Sequence, residues 1–441
     1  MKGARVVAWA DRTPAALVVS ALAFRQLVGA DVKVTYGVLA SGLRLDIVEG
    51  VKRLLEERGV VFDVTADPGW ERTEERERGV AALLEEASRD ATCTLALDIS
   101  GAGPEAATVS LDLARKAWRR PFQVVSFDAG RGTVRIARDP APRRGLAVQF
   151  ARFDAGDPAD TAPLHAAPVG PGDLLGLYGL RLIPEDPYGL TGGNTPGTDE
   201  ILWKASCRIL DTAVTSPARF TRFRAALAAL SHALPPEGGE AALEGRDLPE
   251  GIQPAMEAMQ RLGLASPRGG GTGWILRGAH DRGAVFFLRG GWLEIVVAGV
   301  LSRSFDTPRP VERNAGTLWG RTRTNSSPYA EADAVFTLKN RLFVISCKND
   351  FVDDNLLRHA DRLRALAAEY GETSVSPVLV STRAVEGALE KRCRAYEIGH
   401  VSGPGLLSIL LEDSASESPR KLLDAIWAAC SGPPMPGTNT V

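Results

Sequence analysis

The sequence lacks the features that mark several common classes of protein. Its five cysteines are widely spaced and no Cys-x-x-Cys pair occurs, which argues against a disulfide scaffold and against a structural zinc site. The N-terminus has no apolar region of the signal-peptide type, and no uninterrupted run of about 20 apolar residues occurs. We therefore expect a cytoplasmic protein with no membrane association.

An excess of charge of one sign is also missing, as are the common nucleotide-binding fingerprints. The net charge is −2, so the chain has no bulk basic field, and any contact with nucleic acid must be a local patch. Neither a GxGxxG fingerprint nor a GxxxxGK[ST] phosphate loop occurs. The 441 residues leave room for about two to four domains.

The first part of the chain alternates strands and helices. The predicted strands are 5–10, 31–36, 60–64, 92–99 and 122–127, and the predicted helices are 13–27, 45–58, 70–88 and one that starts at 104. Repeated βα units predict a parallel, doubly wound sheet. We assign this α/β domain to residues 1–150.

Two loops of this sheet are candidates for ligand binding, because ligands of doubly wound sheets bind beyond the carboxyl ends of the strands. The first loop contains Asp11, Arg12 and Thr13. The second contains Ser100, Gly101, Ala102 and Gly103. Small residues allow backbone N–H groups to approach a phosphate or a ribose, and the N-terminus of the following helix adds a favourable dipole.

The middle of the chain, residues 151–280, has a weaker pattern. Residues 137–175 are rich in Pro, Ala and Gly and indicate a linker, and 235–251 resemble a loop. Apolar residues at helical spacing predict helices at 217–234 and 252–262, and a glycine-rich turn precedes a strand at 274–276. Helices followed by a glycine-tipped hairpin are compatible with a small winged-helix-like module.

The most informative stretch is Tyr329–Asp350, which alternates apolar and polar residues on both sides of a Lys-Asn turn and predicts a β-hairpin. Glu331 and Asp333 are two residues apart, so on a strand they point to the same face. Lys348 closes the second strand within an apolar run, where an unpartnered lysine is costly. Carboxylates and a lysine at paired strand ends can hold a divalent metal beside a phosphodiester.

The segments around this hairpin complete a third domain, residues 281–441. Upstream, we predict a strand at 284–288 that ends at a Gly-Gly pair and then a helix that carries Glu294 in its first turn. Downstream, we predict a helix at 355–368, a strand at 375–381 and a helix at 384–396. The first of these helices bears four basic side chains that are candidates for contacts with a nucleic-acid backbone, namely Arg358, His359, Arg362 and Arg364.

The hairpin resembles the core of PD-(D/E)XK nucleases, in which an Asp on one strand is followed by Glu-x-Lys on the next. Asp333 and Lys348 match the Asp and the Lys, but Ser346 stands where the acid is expected. The resemblance implies a catalytic set of Glu294, Asp333, Ser346 and Lys348. Glu294, Glu331, Asp333 and the backbone carbonyl of Cys347 are the candidate ligands of Mg²⁺ or Mn²⁺, and Glu331, on the same face as Asp333, is the candidate to supply the missing charge. Lys348 would orient and help to deprotonate the water, or stabilise the phosphorane.

The order Gly-Gly-Trp-Leu-Glu, acid-x-acid hairpin and Ser-Cys-Lys-Asn resembles the nuclease half of the CARF-domain effector nucleases of type III CRISPR systems. CARF domains are Rossmann-like, and many have a glycine-rich turn after the fourth strand at the position of Ser100–Gly103, although Pro104 replaces the usual lysine. The resemblance implies that a homodimer binds a cyclic oligoadenylate, most often cyclic tetra-adenylate, across its two-fold axis. It further implies cleavage of DNA, RNA or both with low sequence specificity.

Three hypotheses therefore remain. The chain is a ligand-activated, metal-dependent nuclease, which we favour, or a ligand-sensing transcriptional regulator with a degenerate nuclease domain, or a restriction-type nuclease that needs no ligand. The serine at position 346 is the best support for the second hypothesis. The second and third hypotheses differ in their requirements. The regulator needs the ligand but no metal, whereas the restriction-type nuclease needs a metal but no ligand.

Overall fold

The structure, a computed structural model, describes most of the chain. The described residues are 3–10, 14–29, 31–40, 45–66, 73–102, 104–128, 133–139, 171–177, 180–184, 198–234, 239–269, 273–278, 283–304, 312–319, 330–338, 341–349, 353–369 and 375–431.

Three sheets organise the described residues. The strands are β1 Gly3–Ala10, β2 Lys33–Ala40, β3 Val60–Ala66, β4 Thr94–Asp98, β5 Phe122–Asp128, β6 Thr133–Asp139, β7 Leu180–Pro184, β8 Gly239–Glu244, β9 Ala265–Pro267, β10 Gly273–Gly278, β11 Glu312–Trp319, β12 Ala330–Leu338, β13 Arg341–Lys348, β14 Val375–Ser381 and β15 Gly399–Ser402. The helices are α1 Pro14–Val28, α2 Leu45–Glu57, α3 Thr73–Ser88, α4 Pro104–Ala117, α5 Pro171–Leu177, α6 Thr198–Thr215, α7 Pro217–Ala233, α8 Gln253–Arg261, α9 Gly283–Arg303, α10 Asp353–Glu369, α11 Gly387–Ala395, α12 Gly403–Ala415 and α13 Lys421–Ser431.

The N-terminal sheet has the order β3-β2-β1-β4-β5-β6, and β1 to β5 are parallel. Helices α1 and α2 pack on one face, and α3 and α4 pack on the other. The predicted doubly wound sheet is confirmed. The antiparallel edge strand β6 was not predicted, because its short alternating pattern lies next to the Pro- and Ala-rich stretch that was read as a linker.

The middle part of the chain forms an antiparallel sheet of order β8-β10-β9. Helix α7 contacts β8, and α8 contacts β9. The prediction of a loop at 235–251 was wrong at β8. The sequence Gly-Glu-Ala-Ala-Leu-Glu has little intrinsic preference for a strand, and β8 forms because β10 supplies its hydrogen-bonding partner.

The C-terminal sheet has the order β15-β14-β13-β12-β11-β7 and is mixed. The predicted hairpin is the antiparallel pair β12 and β13, and β13, β14 and β15 run parallel. Strand β7 lies in the segment predicted as the middle part of the chain, yet it pairs with β11 at the edge of this sheet.

Helix α9 replaces the strand that was predicted at 284–288, and that prediction was wrong. An apolar run such as Ala-Val-Phe-Phe-Leu is compatible with either a buried strand or a buried helix. The Gly-Gly pair does not break the helix, because residues Phe287–Gly291 form a single π-helical turn that continues into Trp292.

Helix α9 is long and apolar enough to cross a membrane by length and composition, but 78% of its apolar window is buried inside the protein. It packs against β11, β12 and β13 on one side and against α6 on the other. An ideal Cβ on Gly299 would lie 2.3 Å from Cζ3 of Trp203 in α6, so glycine is required for this close helix contact. The helix is therefore part of the buried core.

The short helix α5 lies between the N-terminal and C-terminal sheets. It contacts α2 of the first domain and β12 of the last. Leu174 of α5 is 1% exposed and belongs to one buried cluster that includes Phe24 of α1 and Val335 of β12. On the outside of the same helix, Asp173 pairs with Arg58, which follows α2, at 3.5 Å. The two domains therefore share a continuous apolar contact through α5.

Candidate active site and ligand site

Asp333 is the centre of the candidate active site. It lies on β12 one position beyond the Ala334–Ile345 pair of the hairpin, and it is 5% exposed. Its Oδ2 atom accepts hydrogen bonds from the Ser346 hydroxyl at 3.3 Å, the Cys347 backbone N–H at 2.5 Å and the Lys348 ammonium group at 3.3 Å. The end of β13 therefore contributes three consecutive residues to one carboxylate oxygen, and the structure brings the predicted Asp333, Ser346, Cys347 and Lys348 together.

Glu294 joins this group from the facing helix. It lies in α9 just after the π-turn and is 8% exposed. Its carboxylate raises the pKa of both Lys348 and Cys347. The segment before Glu294 is helical and not a strand.

The charges at the site hold Lys348 in its protonated form. Burial alone would lower the pKa of Lys348, but the nearby Asp333 and Glu294 carboxylates outweigh burial and the pKa is raised. Burial raises the pKa of the Cys347 thiol well above its ordinary value, and the same two carboxylates raise it further. The cysteine side chain is therefore a neutral thiol, and the backbone carbonyl is the group of Cys347 suited to a hard cation.

Helix α10 brings positive charge to the rim of the site. Burial lowers the pKa of His359 to about 3, and the neighbouring charges of Lys348, Arg362 and Arg358 contribute to this shift. His359 is consequently neutral at physiological pH. Arg358 and Arg362 are exposed and four residues apart, so they lie on the same side of the helix.

The donors at the site fit a hard divalent cation that is partly held by substrate. Mg²⁺ is commonly bound by one or two carboxylates together with phosphate oxygens. The described donors to Asp333 all reach Oδ2, so Oδ1 is the oxygen that accepts none of these bonds. Among the residues that the structure describes, no group of three or more His, Cys, Asp or Glu side chains is placed to hold a metal ion by itself. The Glu331 backbone lies in β12 opposite Gly316, but its side chain lies outside the described part.

The predicted ligand loop after β4 lies beside the end of β1. An ideal Cβ on Gly101 would lie 3.4 Å from Cβ of Ala10, the last residue of β1, and 3.5 Å from Cβ of Leu17 in α1. Strands β1 and β4 are neighbours whose connections leave in opposite directions, which is the switch point where such sheets bind ligands. Ser100, Gly101 and Ala102 therefore lie at this switch point, whereas Asp11, Arg12, Thr13 and Gly103 lie outside the described residues.

Sequence analysis missed Asp98, which supports that loop from beneath. Its Oδ1 accepts the Ser100 backbone N–H at 2.9 Å, and its Oδ2 accepts the Ser20 hydroxyl at 2.5 Å and the Tyr36 hydroxyl at 3.3 Å. Burial raises the pKa of Asp98 to about 6 in spite of these hydrogen bonds. The only sequence signal for Asp98 is a single acid at the end of a buried strand, and the predicted strand 92–99 includes it without assigning it a role.

Sequence analysis also missed Asn349, the residue after Lys348. Its amide nitrogen donates to the Arg289 carbonyl at 2.5 Å, and its amide oxygen accepts the Thr382 hydroxyl at 2.7 Å. These bonds connect the end of β13 with the π-turn of α9 and with the segment after β14. A polar residue at a strand end has no periodic signature, so only the fold identifies its partners.

Comparison with solved structures finds chains of similar fold. No protein-family model matches the chain, and no curated protein matches it in sequence. The crystal structure of protein VC1899 from Vibrio cholerae is similar with a TM-score of 0.67 and 16% identity, over 97% of this chain and 99% of that chain. Can2 from Sulfobacillus thermosulfidooxidans, solved in complex with cyclic tetra-adenylate, is similar with a TM-score of 0.60 and 14% identity, over 96% of this chain and 97% of that one.

At these identities the likeness shows the fold alone. It extends over nearly the whole length of all three chains. The predicted α/β class with a Rossmann-like N-terminal sheet is confirmed, and the fold is similar to that of Can2.

Proposed function

We propose that this chain is a metal-dependent endonuclease activated by a cyclic oligoadenylate, with cyclic tetra-adenylate as the activator, and that it acts in type III CRISPR antiviral defence. The observation that carries the nuclease part is the convergence of Ser346, Cys347 and Lys348 on Oδ2 of Asp333, with Glu294 on the facing helix. This arrangement supports the PD-(D/E)XK interpretation of the hairpin.

The residues of the site have separate roles in this proposal. Asp333, Glu294, the Cys347 carbonyl and Glu331 would hold Mg²⁺ or Mn²⁺, and the ion would supply Lewis-acid activation of the phosphodiester and of the attacking water. Lys348 remains protonated, because nearby carboxylates raise its pKa. It therefore orients the water and stabilises the negative charge of the pentavalent phosphorane. Ser346 contributes a hydrogen bond to Asp333 where related nucleases have an acid.

The substrate of the proposed activity is DNA, RNA or both. Helix α10 adjoins the site, and its exposed Arg358 and Arg362 provide a local cationic edge on a chain whose net charge is −2. Such a patch binds the phosphate backbone, which carries no sequence information directly. We therefore propose cleavage with low sequence specificity.

The activator binds at the switch point of the N-terminal sheet. Its contacts are the loop of Ser100, Gly101, Ala102 and Gly103 and the loop of Asp11, Arg12 and Thr13. The complex of the similar protein Can2 with cyclic tetra-adenylate supports this choice of ligand. A cyclic ligand with two-fold symmetry matches a homodimer that presents the same loop twice. Binding of the activator shifts the conformational equilibrium of the dimer toward one geometry, and that geometry makes the nuclease sites active.

The domains have separate tasks in this scheme. Residues 1–150 bind the activator, 281–441 cut nucleic acid, and 151–280 join them. Helix α5 supports coupling between ligand binding in the first domain and cleavage in the last, because Leu174 packs in a cluster that includes residues of α1 and β12.

The experiment that tests the activity is a cleavage assay on supercoiled plasmid, single-stranded DNA and single-stranded RNA. Each substrate is incubated with Mn²⁺ or Mg²⁺, with and without cyclic tetra-adenylate, using wild type, Asp333→Ala and Lys348→Ala. We expect cutting only with metal and ligand together, and loss of cutting in both variants. Metal-dependent cutting that ignores the ligand would instead identify a restriction-type nuclease.

A second candidate function is a ligand-sensing transcriptional regulator with a degenerate nuclease domain. Two observations favour it. Ser346 replaces an acid, and the small β8-β10-β9 sheet with α7 and α8 is compatible with a winged-helix-like module. Tight binding of cyclic tetra-adenylate together with no cutting of any substrate would support this candidate over the nuclease.

A further inference from the structure

The catalytic groups of the proposed nuclease come from two kinds of element. Asp333 and Lys348 lie on paired strands, whose ladder of backbone hydrogen bonds fixes their relative positions. Glu294 comes from helix α9, which belongs to no sheet. A catalytic site must hold its groups within about 0.5 Å of the productive geometry, so the position of the helix needs its own constraint.

Asn349 supplies a connection between these two elements. It follows Lys348 directly and is half-buried. Its amide nitrogen donates to the carbonyl of Arg289 at 2.5 Å, and its Cβ would lie 3.7 Å from an ideal Cβ on Gly290. Arg289 and Gly290 lie in the π-turn of α9, fewer than two helical turns before Glu294. The hydrogen bond therefore joins the end of the catalytic strand to the start of the helix that carries Glu294.

A third element fixes the orientation of the Asn349 amide. The Thr382 hydroxyl donates to Oδ1 of Asn349 at 2.7 Å, and the Thr382 backbone N–H donates to the Lys348 carbonyl at 3.1 Å. Because a hydroxyl can donate to Oδ1, the NH₂ end of the amide is directed at the Arg289 carbonyl. The segment after β14 thus holds the side chain of Asn349 and the main chain of Lys348 at the same time.

The π-turn has a direct consequence for Glu294. A π-helical turn adds one residue to the helix and shifts the following residues around its axis, and such turns recur at functional sites. The Asn349 amide binds within this turn and nowhere else on the helix among the described contacts. The geometry points to Asn349 as the positioning residue that sets Glu294 against Asp333 and Lys348 for cation binding. This inference rests on the proposed nuclease function.

The test compares full-length wild type with Asn349→Ala, Thr382→Val and Ser402→Ala. Thr382→Val removes the hydroxyl but keeps the backbone bond to Lys348. Ser402→Ala is the matched control, because it removes a hydrogen bond from the Val385 N–H to the Ser402 hydroxyl, 3.1 Å long, near the same end of the sheet but away from α9. Mn²⁺ binding is measured by the electron paramagnetic resonance signal of free Mn²⁺, with nucleic acid omitted.

We expect Asn349→Ala to weaken Mn²⁺ binding by about 10- to 100-fold, with a smaller loss in Thr382→Val and none in Ser402→Ala. In cleavage assays at limiting Mn²⁺, kcat falls in the same order while KM for nucleic acid changes by less than about threefold. Excess Mn²⁺ restores part of the rate, which a merely structural role does not predict.

The outcomes that overturn the inference are distinct from failure of the proposed function. Equal Mn²⁺ binding by wild type and Asn349→Ala, or a lower unfolding temperature with unchanged Mn²⁺ binding, would overturn the role of Asn349 alone. A wild-type protein that binds no Mn²⁺ without nucleic acid, and cuts no nucleic acid at saturating Mn²⁺ and cyclic tetra-adenylate, would overturn both this inference and the proposed metal-dependent nuclease.

Discussion

The ammonium group of Lys348 lies 3.3 Å from Oδ2 of Asp333, and both side chains are largely shielded from solvent, with 18% and 7% exposed. An ion pair of this kind is weak support for stability, because desolvation offsets much of the attraction. In the function that we propose, the pair is catalytic. Asp333 and Glu294 raise the pKa of Lys348, and the proposal places the phosphodiester and the cation at these strand ends.

Ser346 is the position at which a substitution is expected to improve metal binding. Ser346→Glu adds a carboxylate beside Asp333 and Glu294, so it should lower the unfolding temperature without a divalent cation. With Mn²⁺ the extra ligand charge should lower the half-saturating concentration by about tenfold. Thermal unfolding across a Mn²⁺ titration measures both effects.

Ser346→Gln is the control for that variant, since it has nearly the same size and no charge. Equal Mn²⁺ stabilisation of the Glu and Gln forms would mean that this position does not face the cation.

Arg362 provides the clearest test of the cationic edge on α10. Arg362→Ala should weaken binding of nucleic acid without changing its sequence preference, and should reduce the slope of log K against log salt by about one. Fluorescence anisotropy at several salt concentrations, with Ca²⁺ replacing Mn²⁺, provides the measurement. Arg394→Ala is the control, because Arg394 is exposed on α11 and paired with Glu390. An equal change in the slope of log K against log salt in both variants would argue against a specific binding site for nucleic acid along α10.

Asp98 should make the stability of the N-terminal domain depend on pH. Burial raises its pKa from 3.8 to about 6, so the folded protein holds this proton more tightly than the unfolded chain. The stabilisation is complete below pH 3.8 and is lost as the pH rises through 6. Relative to Asp98→Asn, the wild-type free energy of unfolding should fall by about 2 kcal/mol between pH 4.5 and 7.5.

Urea denaturation at several pH values measures whether the wild-type free energy of unfolding falls with rising pH relative to that of Asp98→Asn. Asp98→Asn keeps an acceptor for the Ser100 N–H and cannot titrate. A wild-type free energy of unfolding that rises with pH relative to Asp98→Asn would mean instead that the folded state stabilises the ionised form of Asp98.

Leu174 tests the contact between the domains. Leu174→Ala removes a side chain that packs with residues of both domains, and a cavity at such a buried site costs about 2–5 kcal/mol. We expect normal affinity for cyclic tetra-adenylate but a smaller fold-activation of cleavage by it. Calorimetry gives the affinity, and cleavage rates with and without ligand give the activation.

Leu84→Ala is the matched variant. Leu84 of α3 is fully buried, and it belongs to the apolar cluster on the other face of the N-terminal sheet, which does not include Leu174. The same loss of fold-activation in Leu84→Ala would assign the effect to general destabilisation and not to the contact through α5.

The sequence predicted much of this architecture because several segments have strong local signals. The N-terminal βα units and the hairpin of β12 and β13 have clear periodicity, and Asp333 and Lys348 stand out within that hairpin. The region of α9 was misread, since an apolar run followed by Gly-Gly does not distinguish a broken strand from a helix with a π-turn.

The supporting residues could not be predicted in the same way. Asp98 and Asn349 act through partners 78 and 60 residues away, such as Ser20 and Arg289. Strand β8 depends similarly on β10 for its hydrogen bonds. Contacts of this range arise from tertiary structure, and no local pattern in the chain encodes them.

The measurement that tests the central claim most directly is the cleavage rate of one substrate in all four combinations of cyclic tetra-adenylate and Mn²⁺. Wild type is compared with Asp333→Asn, which keeps the size of the side chain, and ligand binding is confirmed for both proteins. The account predicts cleavage by wild type only when both ligand and metal are present, and none by Asp333→Asn although it binds the ligand. Equal rates with and without ligand, or cleavage by Asp333→Asn at the wild-type rate, would contradict it.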